Sequence, residues 1–338
     1  MAGTLFEDIR SALQEKQANL TEWLESTPEE QKQVQLGPAA EVAVEAQLET
    51  IETALEEIQE GTFGVCEICN EIVDGNLLQM DYTSCICLDH YSPAQRRQLE
   101  DELEFSQTLQ RALLPQQTPV IPGLEIAAFS RPAQIVTGDY FDFVQFRDGS
   151  HGLVIADVSG HGVSAGMLMT SLQTAFHTLS PESDSPVQVL ERLNRLYIHN
   201  IHLSTFVTVF FAKLDPAGGS LCYANAGHPV YLYRAATDED LWLRRTGPAI
   251  GLVEDYPKTL DEVTLQKGDV LVLYTDGITE AMNSADLEFG SGALAQVIRD
   301  NKDASAEKLV TSLIGALGSY IGDSKIADDI TLVVCKVR

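Results

Sequence analysis

Positive charge is scarce in this sequence: 22 Lys and Arg stand against 50 Asp and Glu, a formal charge of −28 over 338 residues. A chain so poor in basic residues lacks the footprint that a phosphate backbone demands, and an anionic membrane surface repels it. Long apolar runs are missing as well, and no window nears the roughly 18 residues of a membrane span. Residues 1–14 carry Glu7 and Asp8 and no basic start before an apolar stretch, so a signal peptide is not expected. Cysteine is sparse at six, and four of the six lie between Cys66 and Cys87. Clustering of that kind without a leader favours metal ligation over disulfides. Internal repeats and low-complexity tracts are absent. Together these absences point to a cytoplasmic chain with neither a nucleic acid nor a membrane among its partners.

What is present divides unevenly. Residues 1–93 hold 19 acids and 3 bases (−16), and residues 94–338 hold 31 and 19 (−12). The length suggests about two domains, and a hydrophobic share of 44% is enough for a sizeable core. Four segments are expected: a helical hairpin over 1–60, a cysteine segment over 61–92, an amphipathic linker helix over 93–115 and a catalytic domain over 116–338. In the hairpin, Leu5, Ile9, Leu13, Leu20 and Leu24 fall near one helical face. Gly37-Pro38 interrupts the pattern, and Val44, Leu48, Ile51, Leu55 and Ile58 then repeat at the spacing of a coiled-coil seam. Ser92-Pro93 suits a helix start, and Leu99, Leu103, Leu109 and Leu113 line one face before Pro115 stops the helix.

Beyond residue 123 the pattern changes to strands, over 153–156, 206–214, 221–224, 230–233, 270–274 and 330–334. Helices are expected over 163–179 and 186–201 with no strand between them, and another near 304–318. Runs of strands with paired helices predict an α+β antiparallel sandwich rather than a βαβ repeat.

Two constellations carry chemistry. Cys66-x-x-Cys69 and Cys87-x-x-His90 form two knuckles separated by 17 residues, the spacing of one tetrahedral structural zinc. Cys85 is an alternative to Cys87 at looser spacing. A closed four-ligand shell leaves no position for water, so catalysis is not expected there. With the hairpin and the string Glu60-Gly-Thr-Phe-Gly-Val-Cys-Glu-Ile-Cys69, this segment resembles the DksA/TraR-type zinc finger over about residues 40–91. Members of that family bind RNA polymerase through acidic residues at the hairpin tip, whereas Gln33–Ala40 here contains no acid.

The second constellation is four aspartate motifs: Gly138-Asp139-Tyr-Phe-Asp142, Ala156-Asp157-Val-Ser-Gly-His-Gly162, Tyr274-Thr-Asp276-Gly277 and Ala327-Asp328-Asp329-Ile-Thr331. Any single Asp-Gly is more often a turn than a ligand. Four aspartates next to apolar strands imply carboxylates gathered at strand ends, where mutual repulsion is relieved by a hard divalent cation. Oxygen-only ligation favours Mg²⁺ or Mn²⁺ over zinc. These motifs, with Tyr223-Ala-Asn-Ala-Gly-His-Pro229 and Gly268–Ala281, resemble the PPM-type (protein phosphatase 2C-like) serine/threonine phosphatases, in the bacterial branch that regulates sigma factors.

That resemblance covers about residues 105–338. It implies an αββα sandwich and a binuclear Mg²⁺/Mn²⁺ centre on Asp139, Asp157, the Val158 carbonyl, Asp276 and Asp328, with Asp142 and Asp329 as further ligands or supports. It further implies direct attack on phosphorus by hydroxide bound at that centre, His161 protonating the leaving oxygen, and a phosphorylated anti-sigma-factor antagonist as substrate. His228 reads as a loop-shaping residue, and neither Arg131 nor Arg147 is a clear counterpart of the family's phosphate-gripping arginine. The linker helix over 94–114 resembles the branch's amphipathic linker and is expected either to form a parallel homodimer or to pack on its own domain. Two other readings remain: a regulatory protein whose finger engages RNA polymerase or another regulator while the phosphatase domain serves as scaffold, and a metal-dependent hydrolase of a nucleotide or nucleic acid, with the −28 charge counting against polymeric substrates.

Overall fold

The structure is a computed structural model. It describes the chain except for residues 1–5, 8, 12, 15–16, 19, 22–23, 25–39, 74–77, 79–82, 84, 134, 161, 201–205, 215–218 and 323–325. The expected hairpin tip therefore lies outside the described residues, as does His161. The chain divides into two compact units, Met1–Asp101 and Glu102–Arg338.

In the first unit the described residues between 6 and 24 are helical, and helix α1 spans Ala40–Glu60. Phe6 packs edge-on to Phe63, with ring centroids 5.8 Å apart, and Gln17 reaches Glu52 at 3.4 Å. Phe63 lies three residues beyond the end of α1, so the earlier residue of the first stretch meets the later part of this segment. Leu13, Ile51 and Ala54 of the two helical stretches are buried with Phe63, Cys66, Val73 and Leu78. Gly61, at φ +75°, ends α1 in the left-handed conformation that glycine adopts freely, and Thr62 N–H donates back to the Glu57 carbonyl at 2.9 Å.

Helix α2 spans Pro93–Leu113. Its start is a reciprocal cap: the Gln95 amide donates to Ser92 Oγ at 3.3 Å, and Gln95 Oε1 accepts from the Ser92 amide at 3.0 Å. The helix ends two residues before Pro115.

The second unit contains two five-stranded antiparallel sheets. One has the order β1-β10-β9-β6-β7, with strands Leu124–Arg131, Ile330–Val337, Val270–Tyr274, Val230–Arg234 and Glu239–Trp242. The other has the order β2-β3-β4-β5-β8, with strands Asp139–Gln145, His151–Val158, Val207–Leu214, Ser220–Ala226 and Asp261–Thr264. Side-chain alternation makes the layers. Leu153, Ile155 and Phe210 face Leu232, Leu271 and Val333 of the other sheet. Their neighbours Val154, Ala156 and Phe211 point outward onto helices α3 (Val163–Leu179) and α4 (Pro186–Asn200). Tyr231, Val272 and Leu332 point outward onto α6 (Gly290–Asp300) and α7 (Ala306–Ile321). The result is helices, sheet, sheet, helices, and each fully buried Val, Leu or Phe contributes about 1.5–3 kcal/mol. Among the described residues of the second unit, the strands and helices expected from the sequence form. The structure adds β1, β2, β7, β8 and α6, together with α5 (Asp276–Thr279), a single turn directly after β9.

Candidate functional site

Antiparallel pairing brings the end of one strand beside the start of the next, and this places the acids. Asp139 begins β2 and is the direct partner of Asp157, next to last in β3. In the other sheet β9 runs out at Tyr274 and β10 begins at Ile330, so Asp276 and Asp328 lie just beyond two paired strand ends. A hydrogen bond between the sheets joins the two halves: Thr275 Oγ1 donates to Asp139 Oδ2 at 2.8 Å and accepts from the Thr331 amide at 3.0 Å.

These carboxylates repel one another. Burial, then the charge of Asp276 and that of Asp328, push Asp157 up to about 8. Burial, followed by the charge of Asp157, holds Asp139 well above the ordinary carboxylate range. Asp276 is raised by burial and by Asp328. Among the described residues no Lys, Arg or His forms an ion pair with any of the four; the buried pairs lie elsewhere, as in Arg234 with Asp269. Asp139 is buried, Asp157 and Asp276 are partly exposed and Asp328 is exposed, so the cluster opens to solvent. An oxygen-only set of acids without a cationic side chain fits a hard divalent ion. Asp139, Asp157, Asp276, Asp328 and the backbone of Val158, which follows Asp157, are the candidates to hold one; the structure brings the four carboxylates near enough to repel one another.

The two remaining aspartates take different places. Asp329 Oδ1 accepts from the Ala133 amide at 2.7 Å, and Oδ2 accepts from Thr137 Oγ1 at 2.7 Å and the Gly138 amide at 2.8 Å. Its carboxylate is thus occupied in holding the loop that presents Asp139. Asp142 is not brought to the cluster. Three residues along β2 it points to the opposite face, where it accepts from Tyr140 Oη at 2.9 Å and meets His177 Nε2 at 2.8 Å.

Sequence reasoning missed three contributors. Glu280 lies one turn beyond Asp276, and its carboxyl is raised by burial and by Asp276. Thr137 holds Asp329, and its hydroxyl oxygen accepts from the Asp139 amide at 3.0 Å. Gln110 of α2 is buried, accepts from the Thr137 amide at 2.9 Å and donates to the Thr137 carbonyl at 2.8 Å. A single polar residue on an otherwise amphipathic helix carries no motif, and only the reversed polarity at position 110 marked it. Gly277 permits a close approach, because a Cβ there would lie 2.0 Å from the Asp329 carbonyl oxygen.

His228 shapes its loop. Its amide donates to Asn225 Oδ1 at 2.8 Å and its carbonyl accepts from Asn225 Nδ2 at 2.9 Å. The ring is buried against Thr208 Oγ1 at 2.8 Å, and burial lowers its pKa to about 3. Thr208 is the cross-strand partner of Asp157. Arg147 pairs with Asp184 on the surface beside the β2–β3 turn.

In the first unit, Cys66 Sγ, Cys69 Sγ, Cys87 Sγ and one ring nitrogen of His90 all lie within 4.8 Å of one another. The Cys69–Cys87 sulfurs are 3.8 Å apart and Cys66 Sγ is 3.5 Å from His90 Nδ1. Zn–S and Zn–N bonds of about 2.3 and 2.0 Å at a tetrahedral centre give about 3.8 and 3.5 Å for those same separations. The Cys87 amide donates to Cys66 Sγ at 3.3 Å, the main reason its thiol is lowered to about 6. Of the two alternatives Cys85 and Cys87, the structure groups Cys87 with the other three donors and leaves Cys85 exposed outside.

Two facing antiparallel sheets, helices outside and carboxylates from both sheets meeting at one end define the class as the PP2C-type serine/threonine phosphatases. The SiaA PP2C domain of Pseudomonas aeruginosa superposes with a TM-score of 0.65 over 73% of this chain and 100% of that one, at 23% identity. The RsbU and RsbW domains of Rv1364c from Mycobacterium tuberculosis superpose at 0.56 over 65% of this chain and 61% of that one, at 29% identity. The family pattern of Stage II sporulation protein E (SpoIIE) matches residues 147–338, and the chain belongs to that family. It is 31% identical over 242 residues to the phosphoserine phosphatase RsbU of Bacillus subtilis, covering 71% of each chain. It is 27% identical to the phosphoserine phosphatase RsbP of the same organism, over 63% of this chain and 53% of that one.

Proposed function

We propose that the protein is a phosphoserine/phosphothreonine protein phosphatase that uses two Mg²⁺ or Mn²⁺ ions and acts on a phosphorylated anti-sigma-factor antagonist in a signalling pathway. The observation that carries this reading is the register: Asp139 paired with Asp157, and Asp276 beside Asp328, with no cationic side chain pairing with them among the described residues. The ions would be held by Asp139, Asp157, the Val158 carbonyl, Asp276 and Asp328, and would supply charge neutralisation at the phosphoryl oxygens and an activated water. The protein's own groups set the geometry. Thr275 holds Asp139 from the opposite sheet, Asp329 and Thr137 fix the loop before it, and Glu280 adds negative charge at the rim. His161, four residues past Asp157, is assigned protonation of the leaving serine or threonine oxygen.

One structural zinc on Cys66, Cys69, Cys87 and His90 completes the first unit, supported by the separations of a tetrahedral site. The hairpin over 1–60 and finger over 61–92 would form an input module for the phosphatase domain at 116–338. The linker helix over 93–115 would pair with a second copy, with Phe105 and Leu109 exposed on its surface at 63% and 52%. Gln110 gives that helix a direct hold on the loop of Asp139.

The test is release of phosphate from a phosphoserine protein substrate with added Mn²⁺. Wild type is expected to be active, and Asp157→Asn and Asp276→Asn inactive. Equal activity in wild type and both variants would remove the assignment.

A further inference from the structure

In a chain with 50 acidic and 22 basic residues, the cavity of about 420 Å³ at the C-terminal end of α2 has neither Asp nor Glu in its wall. Arg111 lines it from the helix and Arg131 from the end of β1, while Leu114, Phe129, Ile135 and Phe141 supply apolar surface. Several arginines elsewhere in this domain are paired: Arg147 with Asp184, Arg234 with Asp269, Arg244 with Asp261 and Arg299 with Asp240. Arg111 and Arg131 have no carboxylate partner among the described residues. Both guanidinium groups keep their fork of donors free, and that fork matches the two oxygens of a carboxylate or phosphate. The volume lies in the ordinary range of small-molecule sites, roughly 300–1,000 Å³.

We propose that this cavity binds a small organic anion, with a carboxylate or phosphate head held by Arg111 and Arg131 of its lining and an apolar body against Leu114, Phe129 and Ile135. A cation would meet two unneutralised positive charges there, and a neutral ligand would leave both forks unmatched. Gln110 and Thr137 also line the cavity, so a bound anion would lie against the clasp that holds the Asp139 loop. The proposal does not depend on the activity or on the metal centre.

Titration calorimetry of the zinc-loaded full chain without added Mg²⁺ or Mn²⁺, with naphthalene-1-acetate as probe, tests it with a ligand that has no phosphate ester to turn over. Saturable one-to-one binding is expected. It should weaken by about tenfold or more in Arg111→Gln and in Arg131→Gln, which lose a charge-assisted hydrogen bond. The neutral isostere naphthalene-1-acetamide should weaken to the same degree on the unaltered protein, and Asp157→Asn should bind like wild type. Titration of Asp157→Asn with 1-naphthyl phosphate compares the two heads, and tighter binding of either one with the same dependence on both arginines supports the site. Absence of saturable binding, equal binding of the amide, or undiminished binding in the Arg111→Gln/Arg131→Gln double variant overturns it.

Discussion

Asp157 shows how a residue can serve function against stability. Its carboxyl is pushed up to about 8 by burial and by Asp276 and Asp328, so the metal-free fold carries a repulsion that an amide would not. Without added Mg²⁺ or Mn²⁺, Asp157→Asn is therefore expected to raise the melting temperature of this domain by a few degrees, read by calorimetry, although the same variant is expected to be inactive with Mn²⁺. His228 gives the opposite pH behaviour. Its folded value of about 3 lies below the ordinary 6.5, so between those values the unfolded chain takes up a proton that the folded chain refuses. Its contribution is present above 6.5 and lost as pH falls toward 3. Urea titrations across that window should give a shallower loss for His228→Gln than for wild type. Gly277→Ala places a methyl 2.0 Å from the Asp329 carbonyl oxygen; the backbone must move, and a loss of about 1–3 kcal/mol in urea is expected, with loss of activity.

Elements differ in how plainly the sequence announces them. Leu153–Ala156 and Val270–Tyr274 are apolar runs, and they form central strands. By contrast β7 (Glu239-Asp-Leu-Trp242) and β8 (Asp261-Glu-Val-Thr264) are short, acidic edge strands whose only reason to be extended is a neighbour to pair with. Helix α6 opens on Gly-Ser-Gly, a loop signature overridden by the burial of Leu294 and Ile298. The acids of the site were legible because each belongs to a motif next to an apolar strand, but Asp142 shares its motif with Asp139 and faces the other way. Motif membership does not encode the face; the pleat does. At this scale Gln110 is the informative position. Gln110→Ala removes both bonds to the Thr137 backbone and leaves buried polar groups unmatched, for an expected cost of about 1–3 kcal/mol. A weaker response to added Mn²⁺, measured by calorimetry, should accompany it, because the Asp139 loop loses its anchor.

At the scale of the whole molecule, the two compact units carry two chemistries: thiolate and imidazole in one, carboxylate in the other. Metal analysis should find one zinc per chain, lost in Cys66→Ser. That variant should melt the first unit at lower temperature, since a closed ligand set stabilises a segment with little apolar mass, while the calorimetric transition of the phosphatase domain stays in place. The order of strands sets the order of assembly. Of the described strands β10 is the last to be synthesised, yet it lies between β1 and β9, and Asp328 stands two residues before its start. A nascent chain halted anywhere before residue 328 has β1 unpaired and the carboxylate set one member short. The ribosome must therefore pass Asp328 and deliver β10 before any phosphatase activity exists, and fragments halted earlier would be born inert.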